Sequence, residues 1–433
     1  MLHRIKSVIP SWILDIYHRA LSWLAAMVYR NPSEEAIIIG VTGTNGKTTT
    51  SYLIAKALEA MGDQTGCTTT ALFKVGKIEW LNDRKMTMLG RFQLQKMLRR
   101  MVKEGCKYIV VETSSQGIVQ YRHAHIHYDV CVFTNLTPEH IEAHGGFENY
   151  KKAKQELFFH LARGKQKSIF GKTWPRIAVL NRLDAHAKDF AVAGLDQVIW
   201  YGVGEGEGMN AIDLKDEGWA TSFSVNGERG KINFPGQVNV ENAMAAVAVS
   251  TIFEFPVGAV LKKLATVTGL PGRFERIEEG QSFTVIVDYA PEPASVTKLY
   301  EAVQHLPHQR IIHVFGSCGG GRDVARRPVL GSIAAKQADM VFITNEDPYD
   351  DNPREIMEQV AQGARAEGIQ AERLQIIEDR RSAIQAAFEA AKPGDVVLLT
   401  GKGCEQAIMG PNGSRQPWDE RDIAREILRT LSA

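Results

Sequence analysis

The chain has 433 residues, 44% of them hydrophobic, a length beyond what one core organises and one that implies two or three domains. Its 51 basic and 50 acidic residues leave a formal charge of +1, which excludes a global field that recruits nucleic acid or an anionic membrane; any anion must be bound locally. Five cysteines (67, 106, 131, 318, 404) form no Cys-x-x-Cys pair and are odd in number. That argues against a disulfide framework and against a zinc ribbon, and it fits a reducing cytosol.

Residues 9–29 are rich in apolar side chains, but Asp15, His18 and Arg19 interrupt them well short of a membrane span. Ile13, Ile16, Tyr17, Ala20, Leu24, Met27 and Val28 recur at helical spacing, with Asp15, Arg19 and Ser22 on another face. The first reading is a short helical segment, residues 1–34, docked on its own protein. A helix in peripheral contact with a membrane surface is the second, and a signal peptide, lacking a clear small-residue cleavage site, is the third.

An apolar run at 36–41 predicts a buried strand, and GVTGTNGKTTT follows at 40–50. The strict phosphate-loop pattern wants glycine at 41, where this chain has Val41; glycines stand instead at 40, 43 and 46. The chemistry survives the shift. Gly43, Thr44, Asn45 and Gly46 can turn successive N–H groups toward a triphosphate, Lys47 can reach its far end, and Thr48, followed by Thr49, can ligate Mg²⁺. A helix predicted over 47–61 aims its positive end at the same place.

Onward, strands are expected at 108–112, 130–134 and 177–180 and helices at 92–103, 150–161 and 240–252, the alternation of a mostly parallel α/β sheet. The Gly-rich stretch 201–235 reads as a small antiparallel patch. After Pro271-Gly272 a second series begins, with strands near 283–287, 311–315, 340–344, 374–377 and 396–399 and a last helix near 422–428. The expected organisation is therefore a helical segment 1–34, a central P-loop-type α/β domain 35–271 and a Rossmann-like α/β domain 272–433.

Eight stretches, in order, resemble the Mur ligases: VTGTNGKTTT at 41–50, VETSSQ at 111–116, FTNLTPEHIEAHGGFENYKKAK at 133–154, NVENAMAA at 239–246, LPGRFERI at 270–277, VDYA at 287–290, FGSCGGGRDVARRP at 315–328 and GKGCEQ at 401–406. The nearest branch is the one that adds the third residue of the cell-wall peptide. The resemblance implies an ATP- and Mg²⁺-dependent ligase of peptidoglycan precursor synthesis. It would join a diamino acid, lysine or diaminopimelate, to UDP-N-acetylmuramoyl-L-alanyl-D-glutamate through an acyl phosphate. Its partners would then be small molecules, and the protein a cytoplasmic monomer.

The chemistry agrees with the resemblance. A carboxylate is inert toward amines at neutral pH, so a phosphoryl group must first convert it to an acyl phosphate, a mixed anhydride with phosphate as leaving group, and the protein must cradle triphosphate, hold a cation and align both reactants. In this family the metal site would involve Thr48, Glu112, His140 and a carbamylated Lys154, with Lys47 on the phosphates. Asn242, Arg273 and Asp288 would touch the nucleotide, and Thr113, Ser114, Arg322, Glu346, Asp347, Tyr349, Gly401 and Glu405 the other substrates.

Three departures from the family pattern stand out. Only about 35 residues precede the central domain, so the resemblance implies that the separate UDP-gripping domain is missing. Glu346-Asp347-Pro348-Tyr349 stands where the family often has Asp-Asn-Pro-Arg, and tyrosine cannot make the bidentate pair of a guanidinium with the distal carboxylate of diaminopimelate. Gln116 and Pro291 replace histidines. Two alternatives stay open: a folylpolyglutamate-type or other γ-glutamyl ligase, and a Mur-like subunit of a two-component amidating enzyme.

Overall fold

The computed structural model describes residues 11–139, 144–321 and 324–432. Its larger sheet begins with β1 (Ile37–Thr42), β2 (Thr65–Thr68), β3 (Leu72–Val75), β4 (Ile78–Leu81), β5 (Tyr108–Glu112) and β6 (Val130–Phe133). A separate ribbon of β7 (Lys167–Ile169) and β8 (Lys172–Trp174) precedes its remaining strands, β9 (Ile177–Asn181), β10 (Gln197–Val203), β11 (Met209–Asp216), β12 (Thr221–Val225) and β13 (Glu228–Ile232). The order β13-β12-β11-β10-β9-β6-β1-β5-β2-β3-β4 puts β1 near the centre, parallel to β5 and β6.

That position explains the unbroken apolar run of β1. Ile37, Ile39 and Val41 face one core and Ile38 the other, as a strand covered on both faces requires. One layer contains the helix Gln237–Ile252, buried almost all round from Val240 to Ser250 and packed beside the helix Lys47–Ala57. The latter helix ends at Ala57, a turn earlier than its apolar pattern suggests. The patch expected at 201–235 is the antiparallel edge β11–β12–β13 of this sheet, not a free-standing one. The other edge, β2–β3–β4, escapes sequence reading because each strand has four residues and β2, Thr-Gly-Cys-Thr, shows no apolar period.

The second sheet has six strands in the order β14-β15-β19-β16-β17-β18: β14 (Glu275–Ile277), β15 (Thr284–Asp288), β16 (Ile311–Phe315), β17 (Met340–Ile343), β18 (Leu374–Ile376) and β19 (Val396–Thr400). All pair in parallel except β14 with β15. Its two faces carry separate cores, one under the helices Pro293–Gln304, Arg326–Gln337 and Pro353–Ala366 and one under Arg380–Ala390 and Glu420–Ser432.

The helix Ser11–Val28 does dock on its own protein, but the apolar stripe is not the docking face. Ser22, Ala25 and Ala26 are buried instead, and Ser22 Oγ donates to the Ala124 carbonyl at 2.8 Å. Small residues let the helix sit close; Ile13, Ile16, Tyr17, Leu24, Met27 and Val28 point outward.

In the second sheet His313, on β16, is fully buried and hydrogen-bonded to the Tyr300 hydroxyl at 2.7 Å and to Thr400 Oγ1 at 2.9 Å. Burial, with Arg380 nearby, pushes its pKa down to about 3. Between the unfolded value near ~6.5 and that folded value only the unfolded chain takes up the proton, so stability falls as pH falls through this window. Thermal melts from pH 7 to 4 should find the stability advantage of wild type over His313→Gln shrinking by ~1.4 kcal/mol per pH unit below ~6.5. A constant difference would mean that the site tolerates the charged ring.

Candidate active site

The loop between β1 and the helix Lys47–Ala57 is fitted to its surroundings at two glycines. A Cβ on Gly43 would lie 1.9 Å from Thr134 Oγ1, and one on Gly46, which has φ of 78°, would lie 2.5 Å from Asn242 Oδ1. The segment after β6 braces the loop from outside. The amide of Thr44 donates to the Asn135 carbonyl and that of Asn45 to Asn135 Oδ1, both at 2.8 Å, while Thr134 Oγ1 donates to the Asn45 carbonyl at 2.7 Å. The amides of Thr44 and Asn45 are thus taken by Asn135 and do not face a phosphate as the loop pattern predicts; beyond Gly46 the first N–H groups of the helix lack intrahelical partners, as at any helix start, and form an anion seat. Lys47 stands at its edge, with Nζ 2.6 Å from the Thr44 carbonyl.

Glu112 ends β5 beside that seat. Thr48 Oγ1 is 3.0 Å from both carboxylate oxygens, and Thr70 donates from its amide at 2.7 Å and its hydroxyl at 3.0 Å. A hydroxyl and a carboxylate side by side are hard oxygen donors of the kind Mg²⁺ takes. Among the described residues no group of three or more His, Cys, Asp or Glu is arranged to hold an ion. Thr48 and Glu112 are the described residues that would hold such a cation beside nucleotide phosphates. From the second lobe Arg273 reaches in, with Nη2 3.4 Å from Thr48 Oγ1 and its guanidinium over the Tyr289 ring at 4.6 Å.

Lys154, in the helix Phe147–Arg163, is 1% exposed. Its Nζ donates to the Gly43 carbonyl at 2.6 Å and sits 4.4 Å from the Tyr150 ring centre. Burial, and then the charge of Lys47, holds its pKa well below the usual lysine range against the pull of Glu139 and Glu112. Burial thus disfavours the charged form of this side chain.

One cavity of about 280 Å³ collects these groups. Its wall includes Thr44, Asn45, Gly46, Lys47, Thr48, Thr49, Glu112, Ser114 and Lys154 from the first lobe, with Asn242 at the side. Arg273 and Asp288 face them across the lobes. Asn242 accepts from Thr50 Oγ1 at 3.0 Å, tying the long buried helix to the loop. Asp288 accepts amides from Phe274 at 2.7 Å and Ala290 at 2.9 Å; burial raises its pKa while Arg273 and those amides oppose the rise. Thr113 lies elsewhere, fully buried, its hydroxyl donating to the Val111 carbonyl at 3.0 Å. Ser114 caps the short helix Ser115–Val119 by accepting from the Gly117 amide. His140 and Arg322 fall outside the described residues.

The remaining expected residues form a second cluster in the C-terminal lobe. Glu346 accepts from Cys318 Sγ at 2.9 Å and passes so close to Gly401 that a Cβ there would be 2.4 Å from Glu346 Oε2. Asp347 accepts from Lys402 Nζ at 2.9 Å and from the Met409 amide at 2.7 Å, and Lys402 also donates to Glu405 at 2.7 Å. Burial opposes ionisation of Asp347, yet Lys402 and Lys85 hold its pKa below the usual range. Tyr349 adopts φ of 53°, its amide donating to the Met409 carbonyl at 3.1 Å.

Lys85, Lys402, Thr70 and Tyr150 were not legible as site residues. Lys85 lies on the loop after β4 and crosses to the second lobe, pairing with Asp347 and, at 3.2 Å, with Glu405. In sequence it is one lysine in a polar loop; only the approach of the lobes gives it a role. A literal Asp-Asn-Pro-Arg string at 351–354 is unrelated to this cluster: Asn352 caps the helix Pro353–Ala366 and Arg354 is largely exposed.

Comparison with known proteins bears on this geometry. Family models described as the Mur ligase middle domain and as the Mur ligase, glutamate ligase domain match residues 41–250 and 272–403. The UDP-N-acetylmuramyl-tripeptide synthetase of Roseiflexus sp. (strain RS-1) is 39% identical over 421 residues, covering 95% of this chain and 82% of that protein. The UDP-N-acetylmuramoyl-L-alanyl-D-glutamate--2,6-diaminopimelate ligase of Caldanaerobacter subterraneus subsp. tengcongensis is 33% identical over 414 residues, covering 94% and 81%. Among solved structures, the Mycobacterium tuberculosis folylpolyglutamate synthase complexed with ADP and AMPPCP superposes with a TM-score of 0.69 at 17% identity, covering 95% and 94%, a likeness of fold.

Because Lys85 is the bridge to a buried carboxylate, Lys85→Ala should loosen the contact between lobes at a cost of roughly 1–3 kcal/mol. Hydrogen exchange at 82–88 and 401–409 should quicken, and the radius of gyration from small-angle scattering should rise. Unchanged exchange in both segments would show that other contacts hold the lobes.

Proposed function

This chain belongs to the Mur ligase family, whose members are ATP-dependent ligases that form C–N bonds, and we propose that it adds an amino acid to UDP-N-acetylmuramoyl-L-alanyl-D-glutamate on the cytoplasmic route to peptidoglycan. The observation that carries this reading is the convergence of Lys47, Thr48, Glu112, Lys154 and Arg273 on one cavity between two lobes. In the proposed division of labour residues 35–271 hold the nucleotide, residues 272–433 receive the amino acid, and the enzyme works as a monomer.

ATP sits with its phosphates on the helix start at Gly46, Lys47 and Arg273 neutralising the outer phosphoryl group. Thr48 and Glu112 hold Mg²⁺, which supplies charge neutralisation on the phosphates. A carboxylate oxygen of the muramyl dipeptide attacks the γ-phosphorus and ADP departs, leaving an acyl phosphate. The neutral amine of the incoming amino acid then attacks the acyl carbon; the amide C–N bond forms, inorganic phosphate leaves and the nitrogen loses a proton. Closure of the lobes keeps water from the acyl phosphate.

Lys154 is proposed to be carbamylated. Burial favours the uncharged amine, which in that form adds to CO₂, forming an N–C bond as a C–O π bond opens and releasing one proton, and the resulting anion would balance Lys47 and a cation beside Glu112. On the acceptor side, Tyr349 offers no cationic fork for a distal carboxylate, which favours lysine over diaminopimelate as the diamino acid.

Purified protein should release phosphate from ATP only when a muramyl dipeptide and an amino acid are both present, with the product identified by mass spectrometry. Turnover with a pterin glutamate or with ammonia instead would move the assignment to a γ-glutamyl or an amidating ligase. ATP binding without turnover for any such pair would sink the substrate reading.

Lys154→Ala should lower turnover by roughly 10²-fold or more, the scale of losing one preorganised electrostatic group. Short-chain carboxylic acids should restore part of it by standing in for the carbamate. No restoration by any acid would leave the carbamate without support.

A further inference from the structure

The helix Ser11–Val28 rests on the body by its small residues and turns its large ones outward. Ile13, Ile16, Tyr17, Trp23, Leu24 and Met27 are between 41% and 58% exposed. At 3.6 residues per turn they fill one sector of about 120°. Arg19 lies beside this sector, its guanidinium donating to the Tyr121 hydroxyl at 3.0 Å, which with the buried Ser22, Ala25 and Ala26 sets the apolar face outward. A contiguous apolar face of this kind is rare on a monomer surface.

What lies beside it decides the partner. The helix Arg91–Lys103 runs alongside, joined where Arg99 donates to the carbonyls of Tyr29 at 2.9 Å and Arg30 at 2.8 Å. It carries Arg91, Lys96, Arg99, Arg100 and Lys103 and no acidic residue; with Arg99 paired to Glu35 at 2.7 Å, the other four positive charges have no carboxylate on the helix itself, on a chain whose formal charge is +1. Lys96, Arg100 and Lys103 are exposed. We propose that this face seats on an anionic lipid bilayer, the Ser11–Val28 helix lying in the plane of the interface and the basic helix on the headgroups. Tyr17 and Trp23, apolar bodies with a polar tip, suit that depth. Pairing with a second copy through the same face would set two such basic helices against each other, which charge opposes. No helix among the described residues is long and apolar enough to cross a membrane, so the contact is peripheral.

Co-sedimentation of the full chain with vesicles tests this. Vesicles of equal phosphatidylglycerol and phosphatidylcholine should pull the protein down at low salt and release it at high salt, and pure phosphatidylcholine should retain far less. Ile16→Glu with Met27→Glu should cut binding roughly tenfold or more while leaving the melting temperature and ATP turnover unchanged, because both side chains are exposed and remote from the cavity. Lys96→Glu with Lys103→Glu should cut binding to the anionic vesicles alone by a similar factor. Absence of vesicle binding, binding indifferent to both double substitutions, or a concentration-dependent dimer dispersed by the Ile16/Met27 substitution would each overturn the proposal.

Discussion

Loop 43–47 spends the amides of Thr44 and Asn45 on residues 134–137 to hold its shape, so the backbone donors left for an anion are those of the helix start beyond Gly46. Asn135 satisfies the amides of Thr44 and Asn45 and Thr134 caps the Asn45 carbonyl, so the turn keeps its shape without a ligand. The brace exists because β1 and β6 are paired neighbours in a parallel sheet, which brings their C-terminal ends to the same edge. Lys154 adds to it from the helix Phe147–Arg163 by donating to the Gly43 carbonyl. Preorganisation of this kind spares the loop reorganisation when phosphate arrives.

The charges follow from that arrangement. Lys47, Lys154 and Arg273 converge on a cavity whose wall also includes Glu112, Asp288 and Glu292. Burial then sorts them. Burial and the nearby Lys47 lower the pKa of Lys154, while Glu112 accepts hydrogen bonds from the hydroxyls of Thr48 and Thr70.

The second lobe contributes by contact across the gap. Arg273 approaches Thr48, and Lys85 leaves its own lobe to reach Asp347 and Glu405. Asp347 and Glu405 are thus already matched by Lys402 and Lys85. The same logic of position governs the N-terminal helix, whose apolar face is free only because small residues dock it.

Much of this was legible without coordinates. The strand, Gly-rich loop, Lys-Thr and helix follow one another because phosphate binding needs them contiguous, and the parallel strands inside each sheet were readable because strands buried on two faces must be apolar throughout. Contiguous chemistry is written in contiguous residues. What the order of residues does not carry is which distant side chains meet: Thr70 on Glu112, Lys85 on Asp347, Tyr150 under Lys154, and the choice of the Ser22–Ala25–Ala26 face for docking over the more apolar one. Those depend on shape and close approach, since a short polar strand or a small-residue face gains its partner only once the sheet and the two lobes have brought it there.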